Sequence, residues 1–110
     1  MTGWSAADLL ALPVRMNGIQ LGRPVDLLLD AQDDRVLGFE LACGDGSRRF
    51  LPFTVAEIHA GEINVRSALA LIDEADLAWY RRHARRLGEL GLNEPRVDAD
   101  GHVFEARSAA

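Results

Sequence analysis

The stretch that decides the fold reads RVLGFELAC and covers residues 35 to 43. Apolar side chains recur at every second position, and this period of two is typical of a β-strand with one buried face. The inward face is predicted to hold Leu37, Phe39, Leu41 and Cys43. We expect Val36 and Gly38 to point to the opposite side, together with Glu40.

Short strands are also predicted on both sides of this stretch, at residues 13–16, 25–30, 49–53, 57–60 and 62–66. The segments between them carry turn residues, most clearly Asn17-Gly18, Asp33-Asp34 and Gly44-Asp45-Gly46. Closely spaced strands with such turns favour a small antiparallel barrel or sandwich. Ser5 and Asp8 have the spacing of a helix cap, which predicts a short helical turn before Pro13.

The period changes to that of a helix over residues 73–90, with Asp73 as the predicted cap and Gly91 as the terminator. Its apolar stripe is predicted to hold Leu77, Tyr80, Ala84 and Leu87. Beyond Pro95, the pattern predicts a short hairpin over residues 97–105 about Asp100-Gly101.

The first half of the chain resembles the PRC-barrel family. The resemblance rests on runs that follow one another in the family's order: Leu12-Pro13-Val14-Arg15, Gly18 to Arg23, Val25 to Asp30, Arg35 to Phe39, Phe50 to Phe53, Ile58, and Ile63-Asn64-Val65. Together they cover roughly residues 8–72. The resemblance implies a small, mostly antiparallel barrel that serves in assembly and interaction and has no shared catalytic residues.

The fold class we predict is therefore mainly β, a PRC-type barrel followed by one amphipathic helix and a C-terminal hairpin. The predicted units are the barrel with its N-terminal helical turn, residues 1–72, and a tail, residues 73–110. We expect the tail to pack on the barrel or on a second subunit.

Composition narrows the class of function. The chain has 110 residues and a net charge of −5, and all 12 of its basic residues are arginine. That balance argues against a general nucleic-acid binder. A single cysteine fits a reducing compartment, and no apolar run approaches the roughly 20 residues of a membrane helix. We expect a cytoplasmic protein without membrane insertion.

Residues that could carry chemistry do not form a recognisable constellation in the sequence. His59, His83 and His102 lack partners at metal-ligand spacing, and Cys43 lies on the predicted apolar face. The acidic stretch Asp98-Ala99-Asp100-Gly101 lacks the spacing of a calcium loop and is better interpreted as a hairpin turn. We predict no catalytic residue, no metal and no cofactor, and hence no enzyme.

The outer face of the predicted barrel is apolar enough to need a cover. Together with the helix stripe it defines a predicted interaction surface of Leu28, Val36, Gly38, Leu77, Trp79, Tyr80 and Leu87. The first hypothesis for function is a non-catalytic interaction module that forms a homodimer or docks on another protein. Deletion of the tail is expected to change solubility or mass state if the helix covers this face.

Two alternatives stay open. Arg81, Arg82, Arg85 and Arg86 form a predicted basic patch, interleaved with aromatic side chains. They could hold RNA or a ribosomal partner, although a solvated helix face is the simpler interpretation and nucleic acid is not favoured. A barrel that binds a small ligand is the third hypothesis, for which the sequence shows no convergent polar groups.

Overall fold

The structure is a computed structural model and describes residues 3–67 and 70–105. The chain is mainly β, as predicted. Its strands are β1 (Trp4–Ser5), β2 (Val14–Met16), β3 (Ile19–Asp30), β4 (Val36–Cys43), β5 (Arg48–Pro52), β6 (Glu57–His59), β7 (Glu62–Asn64), β8 (Ala84–Arg86), β9 (Pro95–Val97) and β10 (Val103–Glu105). Its α-helices are α1 (Ala6–Ala11) and α2 (Glu74–His83), and short 3-10 helices cover Phe53–Val55 and Leu87–Leu90.

Local signals place the first elements where the sequence predicts them. The Ser5 hydroxyl accepts the amide N–H of Asp8, at 3.4 Å, and so caps α1. The helix ends at Ala11, before Pro13. The turn between β2 and β3 has positive φ at Asn17 (51°) and Gly18 (79°), which is the backbone of a tight hairpin turn.

Within the described residues, the larger sheet has the strand order β5-β4-β3-β2-β7-β6, and β8 pairs with the end of β3. All of these pairs are antiparallel except β2 with β7, which is parallel, so the sheet is mostly antiparallel. In residues 3–67 and 70–105, no strand pairing joins the outer strands β5 and β6. Closure of this sheet into a PRC-type barrel is therefore not confirmed and stays a prediction.

The main core lies on one side of the sheet, where α1 packs against β3. Its buried members include Leu9, Leu27, Leu29, Phe39, Leu41, Leu51 and Ile63, each 0% exposed. Cys43 packs at the margin of this core, in line with its predicted apolar position.

The predicted facing of Val36 and Leu37 is wrong. Val36 belongs to the main core, whereas Leu37 packs on the opposite side of the sheet beside Leu28. The reason is a shift in register between β3 and β4: Leu28 is opposite Gly38, but Leu29 is opposite Val36. Leu37 is thus an extra residue in a β-bulge, and a bulge breaks strict alternation.

The predicted helix over residues 73–90 is wrong in its second half. Asp73 caps α2 as expected, since its carboxylate accepts the N–H of Asp76 at 3.2 Å, but the helix ends at His83. The next three residues form β8, antiparallel to Leu28–Asp30 of β3. An exposed sheet edge has backbone groups that need partners, and β8 supplies them.

Because α2 ends at His83, Leu87 does not lie where the predicted helix would put it. It packs against the main core instead of sharing a stripe with Leu77 and Tyr80. Gly91 still terminates this segment, in the left-handed conformation at φ 63°.

A second, three-stranded sheet joins the two ends of the chain in the order β1-β9-β10. The predicted C-terminal hairpin is confirmed as β9 and β10, with Gly101 at φ 87° in the turn. Two strand pairings, β1 with β9 and β3 with β8, cross the predicted boundary between residues 72 and 73. The division into two units stays a prediction, and residues 106–110 of the tail lie outside the described residues.

Candidate interaction site

The face of the sheet opposite the main core is covered by α2 of the same chain. Leu28, Phe50 and Leu77 form a second buried cluster there, with Leu37, Ile72, Tyr80 and Ala84 packed around it. Leu28 and Leu77 are each 0% exposed. The apolar stripe of the helix and the apolar face of the sheet therefore cover each other within one chain.

Gly38 makes this close packing possible. A Cβ built on Gly38 would lie 2.6 Å from Cζ of Phe50 and closer still to the carbonyl oxygen of Leu51. The aromatic ring of Phe50 therefore occupies the space that any larger residue at position 38 would need. Of the predicted interaction surface, Leu28, Val36, Gly38 and Leu77 are buried inside this chain, and Trp79 and Tyr80 remain at the surface or near it.

A buried carboxylate, which the sequence analysis did not single out, lies at the edge of this cluster. Glu40 on β4 is 4% exposed and receives two hydrogen bonds from Arg81, at 3.1 and 2.7 Å. Arg48 and Arg86 approach the same carboxylate at 3.5 and 3.9 Å. The hydrogen bonds from Arg81 hold the pKa of the Glu40 carboxyl below its usual value, against the opposing effect of burial.

The predicted basic patch is mostly engaged with acids of the same chain. Arg81 is held by Glu40, Arg85 lies 3.0 Å from a carboxylate oxygen of Asp34, and Arg86 lies 2.7 Å from one of Asp26. Arg82 is exposed and forms no ion pair with any residue that the structure describes. Arg81, Arg85 and Arg86 thus fix α2 and β8 on the sheet more than they create a free positive surface.

A groove of about 460 Å³ lies where α2 meets the end of β3, and we call it the α2 groove. One wall is formed by residues 30–32, at the end of β3 and the start of the following turn. The remainder of its lining is Leu37, Trp79, Tyr80, His83 and Ala84. The groove is therefore mainly aromatic and aliphatic, with a carboxylate, Asp30, on one side.

Ring stacking fixes the aromatic wall of the α2 groove. Tyr80 stacks on the buried Phe50 with ring centroids 4.1 Å apart, and Trp79 meets Tyr80 edge-on at 5.2 Å. His83 stacks on Trp79 at 4.3 Å, and its Nδ1 donates to the Trp79 carbonyl oxygen at 2.8 Å. Trp79 is nevertheless 50% exposed. A large aromatic ring is thus held in one orientation while half of its surface faces solvent.

A separate cluster lies in the turn between β9 and β10. Ligand-type atoms of Asp98, Asp100 and His102 lie within 4.8 Å of one another. One Asp98 oxygen accepts the amide N–H groups of Asp100 and His102, each at 2.9 Å, and the other lies 3.3 Å from Nδ1 of His102. Nε2 of His102 contacts the Arg35 guanidinium at 2.8 Å. Turn formation accounts for this cluster, and the neighbouring guanidinium disfavours a cation there.

No protein-family model matches the sequence, and no curated protein is significantly similar to it. The resemblance to the PRC-barrel family therefore stays a prediction. Among the described residues, neither helix has the length and apolar character needed to cross a membrane.

Proposed function

We propose that this chain is a non-catalytic protein-interaction module, and that the α2 groove takes a segment of a protein partner. The observation that carries the proposal is Trp79, which is half exposed and lies in a groove with defined walls. Tryptophan is enriched among the residues that dominate binding energy in protein interfaces. An exposed tryptophan beside a groove is thus a good centre for such an interface.

The rigidity of the aromatic wall supports the same proposal. Trp79 is stacked on His83 and contacts Tyr80, which is itself stacked on the buried Phe50. Binding to a side chain that is already ordered costs less conformational entropy than binding to a mobile one. The volume of the groove, about 460 Å³, leaves room for a few side chains of a partner's chain.

The RNA hypothesis has weaker support. Three arginines of the predicted basic patch, Arg81, Arg85 and Arg86, already have carboxylate partners. Binding to phosphates would have to displace these partners, and the chain as a whole is acidic.

Site-directed photo-cross-linking tests the proposal. A benzoylphenylalanine replaces Gln32, which is exposed and lines the α2 groove, in cells that produce the protein. The matched control carries the same group at Ile19, which is 65% exposed and lies at the other end of β3. We expect a cross-linked protein segment at position 32, absent at position 19 and lost when Trp79→Ala is added.

Cross-links that are identical at both positions, or that survive Trp79→Ala, would overturn the proposed site. Cross-linked nucleotides at position 32 would favour the RNA hypothesis instead. A peptide of this same chain, cross-linked between two copies, would favour the homodimer over a different partner.

A further inference from the structure

We infer that the segment taken by the α2 groove presents an arginine side chain, stacked on Trp79 and paired with Asp30. This inference rests on the proposed function and adds the chemistry of the partner. It follows from two features of the groove: an acid that forms no ion pair with any residue that the structure describes, and an aromatic residue that is half exposed.

Asp30 differs from three nearby acids, Asp26, Asp34 and Glu40. Asp26 and Asp34 each contact a guanidinium, at 2.7 and 3.0 Å, and Glu40 contacts several. Asp30 has no ion pair with any residue in 3–67 or 70–105. One of its oxygens accepts the N–H of Gln32 at 2.8 Å, which holds the carboxylate in place at the groove wall. A fixed carboxylate in an open groove favours a cationic group from outside.

The indole of Trp79 favours the planar cation of arginine. His83 stacks on the indole, Tyr80 meets it edge-on, and Trp79 as a whole is still 50% exposed, so it is accessible to a ligand in the groove. A cation placed over an indole face is attracted by the ring quadrupole, and tryptophan is the best of the aromatic residues for this contact. The guanidinium of arginine is planar and weakly hydrated, so it can extend the stack that His83 and Trp79 begin.

The apolar part of the lining suits the rest of an arginine side chain. Leu37 and Ala84 lie in the same groove as Asp30 and Trp79. The methylene stem of arginine packs on such apolar surface while its charged end reaches a carboxylate. An acidic segment would instead meet Asp30 and a chain of net charge −5.

Three synthetic peptides test the inference on the full chain. They share an acetylated Gly-Leu-X-Leu-Gly-amide sequence, in which X is arginine, its uncharged isostere citrulline, or glutamate. Binding is followed by ¹H–¹⁵N NMR through the indole signal of Trp79 and the side-chain amide signal of Gln32. We expect the arginine peptide to bind about tenfold more tightly than the citrulline peptide, from the combined ion pair and cation–π contact. The glutamate peptide should bind most weakly.

Asp30→Asn is the matched variant, because asparagine keeps the oxygen that accepts the Gln32 N–H and loses only the charge. In this variant the preference for arginine over citrulline should fall to about threefold, since the contact with Trp79 remains.

Equal affinities for arginine and citrulline at the groove would overturn this inference and leave the proposed protein-binding function standing. A preference that is unchanged in Asp30→Asn would also overturn it. If none of the peptides shifts the groove signals, the inference fails, and the cross-links at position 32 decide the proposed function separately. An oligouridine that shifts the same two signals and binds more tightly than the peptides would overturn both the inference and the proposed function.

Discussion

The guanidinium of Arg81 on α2 donates two hydrogen bonds to the carboxylate of Glu40 on β4, from Nε to Oε1 at 3.1 Å and from Nη2 to Oε2 at 2.7 Å. The two partners differ in burial: the side chain of Glu40 is 5% exposed and that of Arg81 is 37% exposed. A buried charge depends on its partner for solvation, whereas an exposed one can be hydrated again. The pair therefore links α2 to the sheet, and loss of the contact costs more for Glu40, which is buried, than for Arg81, which water can reach.

This asymmetry predicts that Arg81→Ala destabilises the protein more than Glu40→Gln. Arg81→Ala leaves a buried carboxylate with only the longer contacts to Arg48 and Arg86, and we expect a loss of about 2–3 kcal/mol in the free energy of unfolding. Glu40→Gln leaves guanidiniums that water can reach, so the expected loss is about 1 kcal/mol. Urea denaturation at pH 7 measures both.

The double variant Glu40→Gln with Arg81→Ala supplies the control. Its loss should be smaller than the sum of the two single losses, because the penalty of an unpaired buried carboxylate disappears. Strictly additive losses would show that the contact between the two side chains contributes little.

Stability should also depend on pH through Glu40. The pKa of this carboxyl is lowered in the folded protein, first by the hydrogen bonds from Arg81. A lowered pKa means that the stabilisation is complete above the unfolded-state pKa of about 4.3 and is lost as the pH falls through the folded-state value. The difference in the free energy of unfolding between the unmodified protein and Glu40→Gln should therefore begin to shrink as the pH falls below about 4.3.

The comparison with Glu40→Gln removes the contribution of other acids. The pKa values of Glu57 and Asp98 are also lowered, by hydrogen bonds from Asn64 and from the His102 backbone respectively. Both proteins share these groups, so both should lose stability in acid. A difference between the two proteins that stays constant from pH 7 to pH 3 would contradict the role given to Glu40.

Sequence reasoning succeeded where the physical cause is local. The Ser5 cap, the Asn17-Gly18 turn, the Asp73 cap and the hairpin about Gly101 each depend on residues within a few positions of one another. The alternating pattern of β4 also identified a strand correctly. The same pattern predicted the wrong facing for Val36 and Leu37. Their facing is set by a bulge, which depends on the register between β4 and β3, and the sequence of β4 alone does not determine that register.

The remaining errors concern contacts that are distant in sequence. The helical period continues past His83, but pairing of Ala84–Arg86 with β3, more than 50 residues earlier, outweighs it. Likewise, Glu40 and Arg81 are 41 residues apart, and nothing in either neighbourhood points to the other. Glu40 was recognisable only as an acid in the middle of an otherwise apolar strand. Trp79 and Tyr80 were found from the sequence, but the α2 groove required the fold.

Gly38→Ala should destabilise the protein through the contact between β4 and β5. The new methyl group would meet the ring of Phe50 at 2.6 Å and the backbone of Leu51, and neither can move without disturbing the cluster under α2. We expect a loss of about 1–3 kcal/mol in the free energy of unfolding. Gly44→Ala is the matched control, since no heavy atom lies within 4 Å of its Cβ position, and should change stability by less than about 0.5 kcal/mol. Equal losses would show that glycine at 38 is not needed for close packing.

Two neighbouring positions on α2 should separate folding from binding. Leu77 is fully buried against Leu28 and Phe50, so Leu77→Ala leaves a cavity and should cost about 2–5 kcal/mol of stability. Trp79 is half exposed, and Trp79→Ala should cost no more than about 1 kcal/mol, mainly from the lost stacking on His83. Thermal unfolding measures both stability losses, and the photo-cross-link at position 32 measures binding. Because the proposed function assigns Trp79 to the partner and Leu77 to the core, we expect Trp79→Ala to lose the cross-link while remaining folded. Leu77→Ala should keep the cross-link at temperatures where it is folded. If the Trp79→Ala protein is as unstable as Leu77→Ala, the indole contributes to the packing of the helix. The proposal that the α2 groove binds a partner would then lose its main supporting observation.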